Sequence, residues 1–190
     1  MITEAGAPVS VLLGLTYARI LLVPVVMGLI LLGPSQNSAY TFAAVCFALA
    51  ATTDFVDGYL ARRWARTTTL GAFLDTTADK LLVSGALIAL VDVGRASSWV
   101  AIVIIGRELV ILGLRGVVAA EGTVFPPSTW GKLKTNVQFA AILLAILRFD
   151  VPIGPLLLDE WAMIAAVMIT VMSAVEYLRR FSSALSEGSS

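Results

Sequence analysis

Apolar residues run along this chain in stretches of about 20, the length a helix needs to cross the hydrocarbon core of a bilayer. The pattern predicts six helices, over 11–33, 39–61, 70–92, 98–120, 133–149 and 157–180. Turn-rich breaks separate them. Gly33-Pro34-Ser35-Gln36-Asn37-Ser38 closes the first, Gly122 with Pro126-Pro127-Ser128 follows the fourth, and Pro152, Gly154 and Pro155 mark the turn before the sixth. The first apolar run, Val11 to Leu32, is broken only by Arg19; Met1 to Ser10 holds no basic residue and no small-residue cleavage site follows. It reads as a retained membrane helix rather than a removable signal. Residues 182–190 are polar and small and predict a disordered tail, which leaves 1–181 as a single membrane domain without a linker or an internal repeat.

Composition agrees with lipid as the main solvent. Of 190 residues, 58% are hydrophobic and only 14% charged, against about 25% charged in soluble domains, and the mean hydropathy is +0.91. The expectation is an all-α integral membrane protein with six transmembrane helices. Its basic residues sort by side. Arg62, Arg63 and Arg66 lie in the second connection, Lys132 and Lys134 in the fourth, and Arg179 and Arg180 after the last helix, while the opposite connections hold Arg95 and Arg148 beside Asp92, Asp150, Asp159 and Glu160. An even number of spans then places both termini in the cytoplasm. Trp64, Trp99, Trp130 and Trp161 all fall near predicted span ends, as an aromatic belt requires. The net charge of zero argues against a nucleic-acid partner. Gly106, Gly113 and Gly116 in the fourth helix suggest close helix packing, and the single cysteine, Cys46, reads as a packing residue. The chain contains no histidine, so acid–base or metal chemistry falls to carboxylates.

Those carboxylates are present where lipid disfavours them. Asp54 and Asp57 lie in the last turns of the second predicted helix, Asp75 and Asp79 in the first turns of the third. An acidic side chain in a bilayer costs about 2.5–3.5 kcal/mol. Spacings of three and four put each pair on one helix face, and the short connection lets the two pairs face each other. Four converging carboxylates without a cation would drive one another to protonate, whereas a divalent ion stabilises all four, and an oxygen-only donor set favours Mg²⁺, Mn²⁺ or Ca²⁺. Gly58 and Ala61 share the face of Asp54, and Gly71 that of Asp75, which leaves a cleft along the carboxylates. Arg62 sits where a cation suits the helix end and can meet a phosphate. Isolated aspartates at helix ends usually just solvate at the interface; four at one level with small residues at helical spacing do not fit that reading. A cation-conducting site fits as well as a catalytic one.

The run Asp54-Phe-Val-Asp57-Gly58-Tyr-Leu-Ala61-Arg62, eight further residues, then Gly71-Ala-Phe-Leu-Asp75-Thr-Thr-Ala-Asp79, resembles the signature of the CDP-alcohol phosphatidyltransferases at every fixed position. The resemblance implies six transmembrane helices, a homodimer in the bacterial plasma membrane, and a cytoplasm-facing site with two divalent ions, Mg²⁺ or Mn²⁺. It implies Asp54, Asp57 and Asp75 as ligands of metal and donor pyrophosphate, and Asp79 as the base on the acceptor hydroxyl, touching metal as well. Gly58, Ala61, Arg62 and Gly71 would shape the pocket of the CDP-diacylglycerol donor.

The acceptor is addressed by the remaining basic residues. Arg107 lies mid-helix, where a cation needs a partner; Glu108 and Arg115, seven apart, share a face; and Lys132 and Lys134 follow in the next segment. Several cations near a metal-bound donor suggest an anionic alcohol. Arg-Glu-Leu from Arg107, the later Arg115, and Trp130-Gly131-Lys132 with Lys134-Thr135 resemble the branch of the family whose acceptor is sn-glycerol 3-phosphate. That resemblance implies Arg107, Arg115, Lys134 and Lys132 as binders of the acceptor phosphate. Thr16-Tyr-Ala-Arg19 resembles the start of its first helix, with Leu13 standing where Asn is frequent, and implies Thr16 and Arg19 in the substrate region. For Arg63, Arg66, Arg179 and Arg180 snorkelling or attraction to the inner leaflet suffices. Lys80 is either a neighbour that tunes Asp79 or an interfacial lysine; Glu121 and Glu176 read as structural, and the last helix shows no signature. An inositol phosphate acceptor, another alcohol of the family, and a divalent-cation transporter remain the rival readings.

Overall fold

The computed structural model describes the backbone of residues 6–64, 69–120 and 129–187, and the side chains of 14, 16–53, 73, 74, 76–119, 131 and 133–182. Six helices account for nearly all of it, in two compact units, Met1–Arg95 and Ala96–Ser190. The expected sites at Arg66, Glu121, Gly122, Pro126, Pro127 and Ser128 lie outside the described residues.

In the first unit, α1 (Gly6–Leu32) packs against both α2 (Asn37–Trp64) and α3 (Thr69–Asp92). The buried positions repeat at helical spacing: Val26 and Ile30 on α1; Ala39, Ala43, Phe47 and Ala50 on α2; Ala78, Leu82, Ala86 and Leu90 on α3. Alanine along α2 and α3 brings the helices close. At Gly85 α3 lies close against α1, since a Cβ there would lie 2.9 Å from Val23 Cγ1 and 2.9 Å from Met27 Sδ.

One end of this unit is closed by local geometry. Gly94, at φ +68°, ends α3 in the left-handed conformation that glycine adopts without steric cost. Arg95 N donates to Leu90 O at 2.8 Å and Gly94 N to Val91 O at 3.1 Å, the paired bonds of a Schellman cap. The Arg95 guanidinium then lies 3.4 Å from the centroid of the Tyr40 ring, whose opposite neighbour is Gly33: a Cβ on Gly33 would sit 2.2 Å from the ring carbons. Arg95, read from sequence only as a loop charge, is a clamp on the α1–α2 turn.

In the second unit, α4 (Ser98–Ala120) and α5 (Thr129–Leu147) each pack against α6 (Leu158–Glu187). Ser97 Oγ accepts from Trp99 N at 3.2 Å and caps α4. The turn expected before the last helix is a short antiparallel hairpin, β1 (Pro152–Ile153) with β2 (Leu156–Leu157), reversed at Gly154 with φ +66°. Glu160 Oε2 accepts from Leu157 N at 2.8 Å, the reach-back half of a capping box, and Trp161 Nε1 donates to Ile153 O at 2.9 Å.

Three expectations change. The helix α6 continues to Glu187, so residues 182–187 are helical where a disordered tail was expected; Ala184 and Leu185 are good helix formers and no proline or glycine occurs before Gly188. The helix α5 starts at Thr129 rather than 133, just after the Pro126-Pro127 break, and ends at Leu147, where Arg148 adopts φ 39°. The glycines expected to pack α4 do not do so among the described residues, where a Cβ at Gly106, Gly113 or Gly116 would meet nothing within 4 Å. The close approach is made by Gly85 of α3 instead, because small residues permit contact only where a neighbouring helix lies opposite.

Candidate active site

The carboxylate pairs stand on regular helical backbone. Asp57 and Asp54 lie seven and ten residues before the end of α2 at Trp64; Asp75 and Asp79 lie six and ten residues after the start of α3 at Thr69. At 1.5 Å per residue, Asp57 and Asp54 lie about 10 and 15 Å along α2 from its end, and Asp75 and Asp79 about 9 and 15 Å along α3 from its start. The side chains of Asp54, Asp57, Gly58, Ala61, Arg62, Gly71 and Asp75 lie outside the described residues, so the backbone alone places them. Asp79 is half-buried on α3, one residue after the fully buried Ala78. Thr16 and Arg19, three apart on α1, are 4% and 1% exposed, so both side chains face the protein interior.

The second unit supplies the basic residues, and here side chains converge. Glu108 of α4 is buried, and its Oε1 accepts both from Lys134 Nζ of α5 and, at 3.3 Å, from Arg107 Nη1. Arg107 Nη2 donates to Ser173 Oγ of α6 at 2.7 Å. The mid-helix arginine therefore has the partners that its position demanded. Lys134 is also buried, which is rare for lysine without a counter-charge. Two cations share one carboxylate, so these three side chains carry one net positive charge. Arg107 Nε is buried and has no hydrogen-bond partner among the described residues; a buried donor in that state calls for an acceptor. One turn along α5 from Lys134, Gln138 Nε2 donates to Thr170 Oγ1 of α6 at 2.8 Å, with both residues buried.

Arg115 is not drawn into this cluster. It is exposed two turns beyond Glu108, whose ion pairs are with Arg107 and Lys134. The side chain of Lys132 lies outside the described residues. Sequence reading missed Ser173 and Thr170. Their signal is visible afterwards as two polar residues three apart in the apolar stretch of α6, continued by Glu176 and Tyr177, so the last helix does carry a polar face. Glu176 pairs with Arg180 at 2.6 Å, in keeping with the structural role expected of it.

Known proteins resemble this sequence over nearly the whole chain. The sequence pattern of the CDP-alcohol phosphatidyltransferase family matches residues 13–172. The chain is 42% identical over 180 residues to the CDP-diacylglycerol–glycerol-3-phosphate 3-phosphatidyltransferase of Bacillus subtilis (strain 168), covering 87% of this chain and 92% of that protein. Proteins of the same description from Pseudomonas fluorescens and Escherichia coli (strain K12) are 39% and 38% identical, covering 87% and 86% of this chain and 86% and 90% of theirs. The aspartate signature on α2 and α3 and this agreement from the first helix to the last make the chain a member of the CDP-alcohol phosphatidyltransferase family.

Proposed function

We propose that this enzyme transfers the phosphatidyl group of CDP-diacylglycerol to sn-glycerol 3-phosphate, giving phosphatidylglycerophosphate and CMP. The observation that carries the acceptor is the buried Arg107–Glu108–Lys134 cluster, with its net positive charge and the open Nε donor of Arg107. A phosphate monoester brings anionic acceptor oxygens to the open Arg107 Nε donor, which a neutral or cationic alcohol does not. The descriptions of the bacterial relatives name the same donor and acceptor. Arg107 and Lys134 are the phosphate-binding pair in this reading, with Arg115, Lys132, Thr16 and Arg19 in supporting positions.

Asp54 and Asp57 on α2 and Asp75 and Asp79 on α3 would together form an oxygen-only donor set that suits two Mg²⁺ or Mn²⁺ ions. Bound there, the ions would neutralise the donor pyrophosphate and align attacking and leaving oxygens. Asp54 and Asp75 also orient the donor, and Gly58, Ala61, Arg62 and Gly71 shape its nucleotide pocket. Asp79 takes the proton of the acceptor hydroxyl as its oxygen bonds to the phosphatidyl phosphorus. The P–O bond to CMP breaks, and CMP leaves with the electron pair.

Six spans with both termini cytoplasmic, a single domain over 1–181, a homodimer and a bacterial plasma membrane complete the proposal. Leu158–Ser182 is long and apolar enough to cross a bilayer. Large apolar side chains such as Leu21, Phe42, Leu109 and Met168 are exposed in both units, as suits helices solvated by lipid. Every tryptophan stands within four residues of a helix end: Trp64 on α2, Trp99 on α4, Trp130 on α5 and Trp161 on α6. An acceptor panel tests the function. Purified protein with CDP-diacylglycerol and Mg²⁺ is expected to release CMP with sn-glycerol 3-phosphate and not with serine, inositol phosphate or phosphatidylglycerol. Release with inositol phosphate alone would reassign the acceptor, and metal flux into vesicles without nucleotide turnover would favour a transporter.

A further inference from the structure

Thr170 and Ser173 lie on one face of α6 and are 0% and 1% exposed. Each meets a different helix. Thr170 accepts from Gln138 on α5 at 2.8 Å, and Ser173 accepts from Arg107 on α4 at 2.7 Å. Because α6 packs against both α4 and α5, these two hydroxyls key α6 to the helices that carry Arg107 and Lys134.

The two bonds to Arg107 are unequal. Glu108 is its chain neighbour, and adjacent residues on a helix project about 100° apart. Its contact to Nη1 is accordingly long, at 3.3 Å, and the same oxygen also serves Lys134. The bond from Nη2 to Ser173 is short and comes from another helix. A guanidinium is a rigid planar fork, so a second point of attachment sets the plane in which its remaining N–H groups project. Nε is one of these, buried and without a partner among the described residues.

We propose that Ser173 is a positioning residue for the acceptor phosphate: its hydroxyl fixes the plane of the Arg107 guanidinium, so that the remaining N–H groups meet the anion. The inference rests on Arg107 and Lys134 being the phosphate-binding pair. Ser173 itself touches neither substrate nor the reacting atoms.

The test is a double-mutant cycle read as steady-state kinetics on the purified full-length protein, varying sn-glycerol 3-phosphate and CDP-diacylglycerol in turn. Ser173→Ala is expected to raise KM for glycerol 3-phosphate about tenfold, the scale of one well-placed hydrogen bond to a charged group. KM for CDP-diacylglycerol and kcat stay unchanged. In an Arg107→Gln background, itself much weaker for the acceptor, adding Ser173→Ala has no further effect on kcat/KM, because the group it orients is gone. Equal losses in both backgrounds, or parallel changes in KM for both substrates, overturn the positioning role and leave Ser173 as general packing. A wild-type protein that does not use glycerol 3-phosphate overturns both this inference and the acceptor assignment. A wild-type protein that uses it, with Ser173→Ala unchanged, overturns the inference alone.

Discussion

At the scale of single residues, Glu108 and Asp79 have the most distinct tasks. Glu108 is buried and paired with both Arg107 and Lys134, and removing its charge takes that counter-charge from both cations. Glu108→Gln is therefore expected to lower stability by about 3–5 kcal/mol, read as a lower thermal midpoint in detergent; an unchanged midpoint would contradict the pairing. Asp79→Asn keeps the shape of the side chain but cannot accept the acceptor proton. Turnover is expected to fall by about 10²–10⁴-fold, with CDP-diacylglycerol binding retained in an equilibrium assay; near-normal turnover would remove Asp79 as the base. The aspartates and Arg107 were legible in the sequence because charge in an apolar run is costly and must have a reason. Ser173 and Thr170 were not. A hydroxyl in an apolar helix can bond its own backbone one turn back, as Thr170 does to Ala166 O at 2.6 Å, so its presence alone does not announce a partner 32 or 66 residues away.

At the scale of elements, apolar run length gave all six helices, and the differences lie at their ends. The α5 start at Thr129 and the α6 end at Glu187 follow local breakers and helix formers, and the hairpin over Pro152–Leu157 is held by local bonds, none of which hydrophobic periodicity encodes. Glycine roles were misjudged for a related reason: a small residue permits close packing, but only the partner helix decides whether it is used. The structure assigns that role to Gly85 and Gly33 and withholds it from α4. Gly85→Val is accordingly expected to push α1 from α3 and lower stability by about 1–3 kcal/mol. Gly113→Ala, with open space around the new methyl, should instead stabilise α4 by about 0.5–1 kcal/mol. Thermal midpoints of the two variants measure the contrast; a destabilising Gly113→Ala would mean that this face of α4 is covered.

At the scale of the whole molecule, the proposal places the basic connections and both termini on one side of the membrane. The short hairpin after α5, flanked by Asp150 and Asp159, falls on the other. With Cys46 replaced by serine, a cysteine at Ser182 is expected to react with an impermeant thiol reagent only from the cytoplasmic side, and one at Gly154 only from the outside. Labelling of both from one side would contradict α6 as a membrane span. The central claim is chemical. Its most direct test is the transfer of labelled sn-glycerol 3-phosphate into lipid by purified protein supplied with CDP-diacylglycerol and Mg²⁺. The account predicts labelled phosphatidylglycerophosphate formed in equal amount with CMP, lost on chelating the metal and lost in Asp79→Asn. CMP release without label entering the lipid would contradict it.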